Sequence, residues 1–156
     1  MPRHDAPEKI LVLHGPNLNL LGRREPHIYG SMSLEQLNER LRTLAAKIQV
    51  SLIIVQSNHE GVLVDTLHKH MDEVAGAILN PAGLTQFGVS LHDAIKTMPF
   101  PVIEVHISNI AAREEWRHHS IISSAARATV QGLGWRSYTA ALRTLVELIR
   151  EPKKAS

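Results

Sequence analysis

The chain has 156 residues, no cysteine and a formal net charge of +2. Without cysteine there is no disulfide framework, thiolate nucleophile or cysteine-ligated metal, and so small a charge argues against a nucleic-acid surface, supporting at most a bias toward small anions. Aromatic residues make up 4% of the chain, too few for base-stacking platforms, and no apolar run is long enough to span a membrane.

In chain order, Met1 to Glu8 is polar and short, unlike a signal peptide, so a cytoplasmic protein is expected. The apolar run Ile10–Leu13 predicts a first buried strand, and the irregular segment His14 to Gly30 follows it. Ser33 predicts a helix start, with Gln36 completing a capping box and Leu34, Leu37, Leu41, Leu44 and Ile48 forming the buried stripe. A second strand is expected at Leu52–Val55 and a helix from about Glu60 to Asp72, with Val64, Leu67 and Met71 inward. Then come a strand at Gly76–Leu79, a helix at roughly Val89 to Lys96, a strand at Val102–Val105 and a weaker one at Ala128–Gly132. The last helix, Tyr138 to Arg150, carries Leu142, Leu145, Val146 and Ile149 at helical spacing. Apolar strands alternating with amphipathic helices imply βαβ units and a parallel sheet. The expectation is one domain over residues 1–156, a three-layer flavodoxin-like α/β fold with a five-stranded parallel sheet, and flexible tails at 1–8 and 151–156.

In such sheets the ligand lies beyond the carboxyl ends of the strands, near the point where strand order reverses. The loop after His14, the turn Asn80-Pro81-Ala82-Gly83 and the segment His106-Ile107-Ser108-Asn109 all fall there, which brings Asn17, Tyr29, Asn80 and His106 toward one mouth. A phenol, with an ordinary pKa near ~10, serves as a base at neutral pH only where cations stabilise the phenolate. Arg24, helped by Arg23 or Arg113, is the candidate cation for Tyr29; the alternative is a tyrosine that merely packs, beside solvated arginines. Glu104 and His106 lie two apart on a strand and share a face, an arrangement that suits a general acid or a structural hydrogen bond. The amides of Ile107 and Ser108 are placed to form a small anion nest. Arg113 to Arg117 reads as a charged helical turn, either a surface ion-pair network or two arginines directed into the site. No His-Glu-x-x-His spacing, Gly-x-Gly-x-x-Gly fingerprint or phosphate-loop Gly-Lys-Ser/Thr occurs, so no metal or nucleotide cofactor is expected.

The ordered motifs Gly15-Pro16-Asn17-Leu18-Asn19-Leu20-Leu21-Gly22, Arg24-Glu25-Pro26 with Tyr29-Gly30, Gln56 to Gly61, Ile78-Leu79-Asn80, Glu104 to Asn109 and Arg113 to Arg117 closely resemble type II 3-dehydroquinate dehydratase. The resemblance runs from about Lys9 to Glu147. It implies a hydro-lyase of the shikimate pathway that converts 3-dehydroquinate to 3-dehydroshikimate without a cofactor. By the same resemblance, Tyr29 is the base, Arg24 holds its phenolate with Arg113 close by, and Asn17 helps stabilise the enolate. His106 is the acid, oriented by Glu104. Asn80 and Arg117 bind substrate hydroxyls, and the Ile107 and Ser108 amides its carboxylate. Asp93 reaches a neighbouring subunit's site in a dodecamer of trimers.

The chain departs from the family pattern at Gln86-Phe87-Gly88, where the family usually has His-Thr-Ser. Gln86 keeps a hydrogen bond toward a ring hydroxyl with different reach, Phe87 adds bulk, and Gly88 removes a helix cap. Two alternatives stay open at this stage. One is a weakly active paralogue that binds a related cyclic polyhydroxy acid; the other is a dehydratase serving quinate breakdown.

Overall fold

A computed structural model describes residues 6–153. Its strands are β1 (Lys9–His14), β2 (Ser51–Gln56), β3 (Gly76–Asn80), β4 (Val102–His106) and β5 (Ala128–Gln131). They form one sheet in the order β2-β1-β3-β4-β5, and every neighbouring pair is parallel. The helices are α1 (Pro26–Tyr29), α2 (Leu34–Ile48), α3 (Glu60–Lys69), α4 (Val89–Thr97) and α5 (Arg136–Arg150). All five expected strands are present, each within one residue of the predicted bounds.

Two apolar layers sandwich the sheet. Ile10 and Val12 of β1 face Leu37, Leu41, Leu142 and Leu145 of α2 and α5. Leu11 and Leu13 face the other way, onto Leu63, Leu67, Leu91 and Ile95 of α3 and α4. Period-two alternation sends successive side chains to opposite faces, and because both faces are covered the strands read as continuous apolar runs. Gly76 opens β3 where a Cβ would lie 3.0 Å from both Leu145 Cδ1 and Ile149 Cδ1, so α5 packs directly on the backbone there.

The capping box at Ser33 and Gln36 forms in both directions, with Ser33 Oγ accepting from the Gln36 amide at 3.1 Å. On α3 the fully buried positions are Leu63 and Leu67, while Val64 and Met71 pack only partly buried. The helix ends at Lys69 rather than Asp72, because turns closed by Glu73 N–H and Val74 N–H on the His70 carbonyl replace the α ladder. Of the residues expected to be flexible tails, 1–5 and 154–156 lie outside the described residues. Glu8 accepts from Arg150 Nε and Nη2 at 3.0 and 2.9 Å, which ties the entry of β1 to the end of α5.

Candidate active site

The strand order reverses between β1 and β3, whose ends diverge into the His14–Gly30 loop and the Asn80–Gly83 turn. Gly15 sits at this point because nothing larger fits: a Cβ would lie 2.7 Å from the Pro81 carbonyl oxygen and 2.9 Å from that of Asn80. Its N–H donates to Asn80 O at 2.8 Å. Here a cavity of about 330 Å³ opens, lined by Asn17, Arg24, Tyr29, Asn80, Gln86, His106, Ile107, Ser108, Arg113 and Arg117 among others. Three arginines and no carboxylate line it among the described residues, so its wall carries an excess of positive charge.

The first loop is ordered locally. Asn17 adopts a left-handed conformation, φ 68°, which residues other than glycine seldom do. The strain is held by the loop after β2, where Asn58 Oδ1 accepts from the Asn17 amide at 2.9 Å and Gln56 Nε2 donates to Gly15 O at 3.2 Å. Pro26 then starts the one-turn helix α1, which ends on Tyr29. Two guanidiniums lie over the Tyr29 ring, with Arg24 Cζ 5.1 Å and Arg113 Cζ 5.2 Å from its centroid. Of the two auxiliary cations considered for Tyr29, the structure selects Arg113; Arg23 is exposed and lines no part of the cavity.

Arg113 and Arg117 reach the cavity by a route that differs from the expected helical turn. Arg113 is extended, φ −102° and ψ −164°, between two short 3-10 turns at Ile110–Ala112 and Glu115–Arg117. The Asn109 side chain caps the first turn, and proximity of the two arginines arises from the bend rather than from an i,i+4 face. Arg117 Nε donates to Glu114 Oε2 at 2.9 Å, and its guanidinium lies 4.0 Å from the Trp116 ring centroid.

Glu104 is fully buried beneath His106, and the two are hydrogen-bonded through Oε2 and Nε2. The same carboxylate accepts from Ser120 Oγ at 2.9 Å, Ser123 Oγ at 2.6 Å and Thr129 Oγ1 at 3.5 Å. Burial would push this carboxyl up, yet the hydrogen bonds from His106, Ser123 and Ser120 outweigh it and hold Glu104 below the ordinary carboxylate range. Ser120, Ser123 and Thr129 escaped the sequence reading. The only signal for them was indirect: an ionised group in the middle of a buried strand demands several donors from somewhere.

Two of the expected site residues stand apart from the cavity wall. Glu104 lies behind His106, and Asp93 lies on α4 with its side chain 73% exposed beside His92, outside the cavity. The Gln86-Phe87-Gly88 departure resolves differently at each position. Gln86 Nε2 donates to Arg117 O at 3.1 Å, while its Oε1 is buried without a partner. Phe87 lies 72% exposed at the cavity rim, so most of its bulk is outside. The cap expected to be lost at Gly88 is replaced by Glu60 of α3, whose Oε2 accepts from the Leu91 amide in the first turn of α4 at 3.0 Å. A Cβ at position 88 would meet Leu84 O at 2.8 Å, so glycine also fits this packing. Among the described residues, no three His, Asp or Glu side chains cluster as metal ligands.

Fold and cavity together define a flavodoxin-like α/β protein with a cation-rich small-molecule site at the switch point of its sheet. Residues 8–146 match the family model Dehydroquinase class II. A 3-dehydroquinate dehydratase of Herpetosiphon aurantiacus is 50% identical over 139 residues, covering 89% of this chain and 96% of that protein. The crystal structure of type II dehydroquinase from Butyrivibrio crossotus superposes with a TM-score of 0.89 at 34% identity, covering 91% of this chain and 99% of that one. The type II dehydroquinase from Propionibacterium acnes gives 0.86 at 39% identity, covering 92% and 97%. The chain belongs to the class II dehydroquinase family.

Proposed function

We propose that the protein dehydrates 3-dehydroquinate to 3-dehydroshikimate by enolate-mediated elimination of water. The observation that carries this reading is one cavity, in a chain of this family, walled by a phenol with two guanidiniums over its ring and by an imidazole backed by a buried carboxylate. Tyr29, as phenolate stabilised by Arg24 and Arg113, takes the proton α to the C3 ketone. The electron pair moves into the carbonyl, and the enolate oxygen is stabilised by Asn17, through a water. Its return expels the C1 hydroxyl, which leaves as water with a proton from His106. Glu104 fixes the ring and stabilises the imidazolium. Two proton transfers with no net redox change complete the reaction, so no cofactor is assigned.

Asn80 and Arg117 bind ring hydroxyls, and the amides of Ile107 and Ser108 receive the carboxylate. The buried, unpartnered Oε1 of Gln86 accepts from a further hydroxyl, taking the part of the histidine usual in the family. Asp93, exposed and outside its own cavity, serves the site of a neighbouring subunit within trimers assembled into a dodecamer. We place this enzyme in the cytoplasm; no helix among the described residues is long and apolar enough to cross a membrane. Mixing the protein with 3-dehydroquinate tests the reaction, because the product is a conjugated enone. Rising enone absorbance is expected, and its absence at micromolar protein overturns the assignment.

A further inference from the structure

Ser120 follows the arginine-bearing turns and reaches the site from behind the cavity wall. Its Oγ accepts from the amides of Ile122 at 3.1 Å and Ser123 at 3.2 Å, which occupies both lone pairs of the hydroxyl. The hydroxyl proton is therefore committed to Glu104 Oε2, 2.9 Å away. That oxygen is also the one that meets His106 Nε2. The other carboxylate oxygen, Oε1, lies 2.6 Å from Ser123 Oγ and 3.5 Å from Thr129 Oγ1. Neither serine lines the cavity, whereas His106 does. Among the described residues Gln86 Oε1 is the buried side-chain polar atom without a partner, so His106 Nδ1, which is equally unbonded, opens to the cavity.

The proton between Glu104 and His106 has two possible homes, Oε2 and Nε2. Hydrogen bonds donated to a carboxylate favour its ionised form, and a buried charge is tolerated where such donors are supplied. We propose that Ser120 and Ser123 hold this proton on Nε2, which makes Nδ1 the atom through which His106 acts as the acid. Uncharged His106 is then the Nε2–H tautomer with a bare Nδ1, and the acid is the imidazolium. Its Nδ1 proton passes to the leaving oxygen as the C1–O bond breaks and the bonding pair departs with that oxygen. Water and neutral His106 result, and Nε2 keeps its proton throughout. Ser120 and Ser123 are positioning residues that act through Glu104. Other titratable groups sharing the cavity with His106 are Tyr29, Arg24, Arg113 and Arg117. The acid step rests on the dehydration proposed above; the tautomer does not.

Nitrogen-15 NMR of protein labelled in histidine reads the tautomer without any reaction. The His106 signals, assigned by their loss in His106→Gln, should show Nε2 protonated throughout and Nδ1 gaining its proton as pH falls. A neutral ring with its proton on Nδ1 overturns the proposal. Ser120→Ala combined with Ser123→Ala should give Nε2 a partly unprotonated signal. It should also lower kcat by about five- to thirtyfold, with KM within about twofold. In a Glu104→Gln background the same pair should change kcat no further, and fully additive losses overturn the link. Ser123→Thr keeps a hydroxyl at an exposed position and should retain the parent kcat; a loss equal to that of Ser123→Ala counts against the serine's role. Serines that serve folding alone would lower thermal stability and leave both kcat and the Nε2 signal unmoved, which overturns the proposal. The expected nitrogen signals in a protein that fails to turn over dehydroquinate uphold the tautomer and reject the reaction.

Discussion

Two histidines end strands at the same edge of the sheet, His14 on β1 and His106 on β4, and both are buried. They point to opposite faces and keep different company. His106 meets the Glu104 carboxylate, which is itself held by two serines and a threonine. His14 meets only neutral groups, an amide oxygen and a phenol. Burial therefore holds His14 uncharged, with its pKa lowered to about 4 despite the opposing hydrogen bond to Asn38. One residue type at equivalent positions is a fixed structural dipole in one case and, in the proposed reaction, a proton carrier in the other, according to whether a carboxylate stands behind it.

The largest expected effect separates the two directly. His106→Gln should lower kcat by about 10²- to 10⁴-fold, the range for loss of a general acid, with KM little changed; His14→Gln should leave kcat within about twofold. Initial rates measured by enone absorbance decide this, and similar losses in both variants would erase the distinction.

Acid stability comes next. At pH above 6.5, His14 is neutral in folded and unfolded chains alike. As pH falls from about 6.5 to about 4, the unfolded histidine gains a proton that the folded one refuses. Folding should lose about 3 kcal/mol across that window. Glu104 adds a loss of the same sign at lower pH: its depressed carboxyl stabilises the fold above the ordinary carboxylate pKa, and that contribution is lost as pH drops through its folded value. Urea unfolding at fixed protein concentration should show a sloping stability between pH 6.5 and 4.5 in the parent and a flatter one in His14→Gln. An unchanged slope would mean that His14 is not the group responsible.

Glu104→Gln keeps the shape of the carboxylate and removes its charge. Loss of one charge-assisted hydrogen bond, about 1.5–3 kcal/mol, should lower kcat by about 10- to 100-fold. Retention of full kcat would show that orientation alone, not charge, is what His106 needs. The smallest effect belongs to Gln86, whose buried Oε1 awaits a donor. Gln86→Leu should raise KM about fivefold, near 1 kcal/mol, with little change in kcat; an unchanged KM in steady-state assays would remove Gln86 from the substrate's surroundings.

The fold was largely legible in the sequence, and so was the membership of the cavity, for different reasons. Continuous apolar runs of strand length, separated by amphipathic segments, admit few arrangements other than a covered parallel sheet. Ser33 and Gln36 announced a helix start that is purely local in origin. Chain topology then carries every strand end to one edge, so Asn17, Asn80 and His106 were bound to converge. Where local signals stopped, the reading stopped too. The charged run at Arg113 to Arg117 suggested a helical turn, and the actual bend comes from two 3-10 turns whose placement depends on Asn109 and on the end of β4.

The sequence by itself determined the elements, the strand-end loops and the types of residue delivered to the cavity, because these follow from periodicity, capping and connectivity. Only the tertiary structure decided which partner each polar group meets. Nothing in the spacing of Ser120 or Ser123 points to Glu104, or in that of Tyr138 to His14, since these bonds cross 16, 19 and 124 positions of the chain. Nor could spacing show that Glu60 would cap α4 from 31 residues away. Charge state, tautomer and side-chain aim depend on such encounters: in a low-dielectric interior a buried polar group takes its properties from whatever lies within hydrogen-bonding reach.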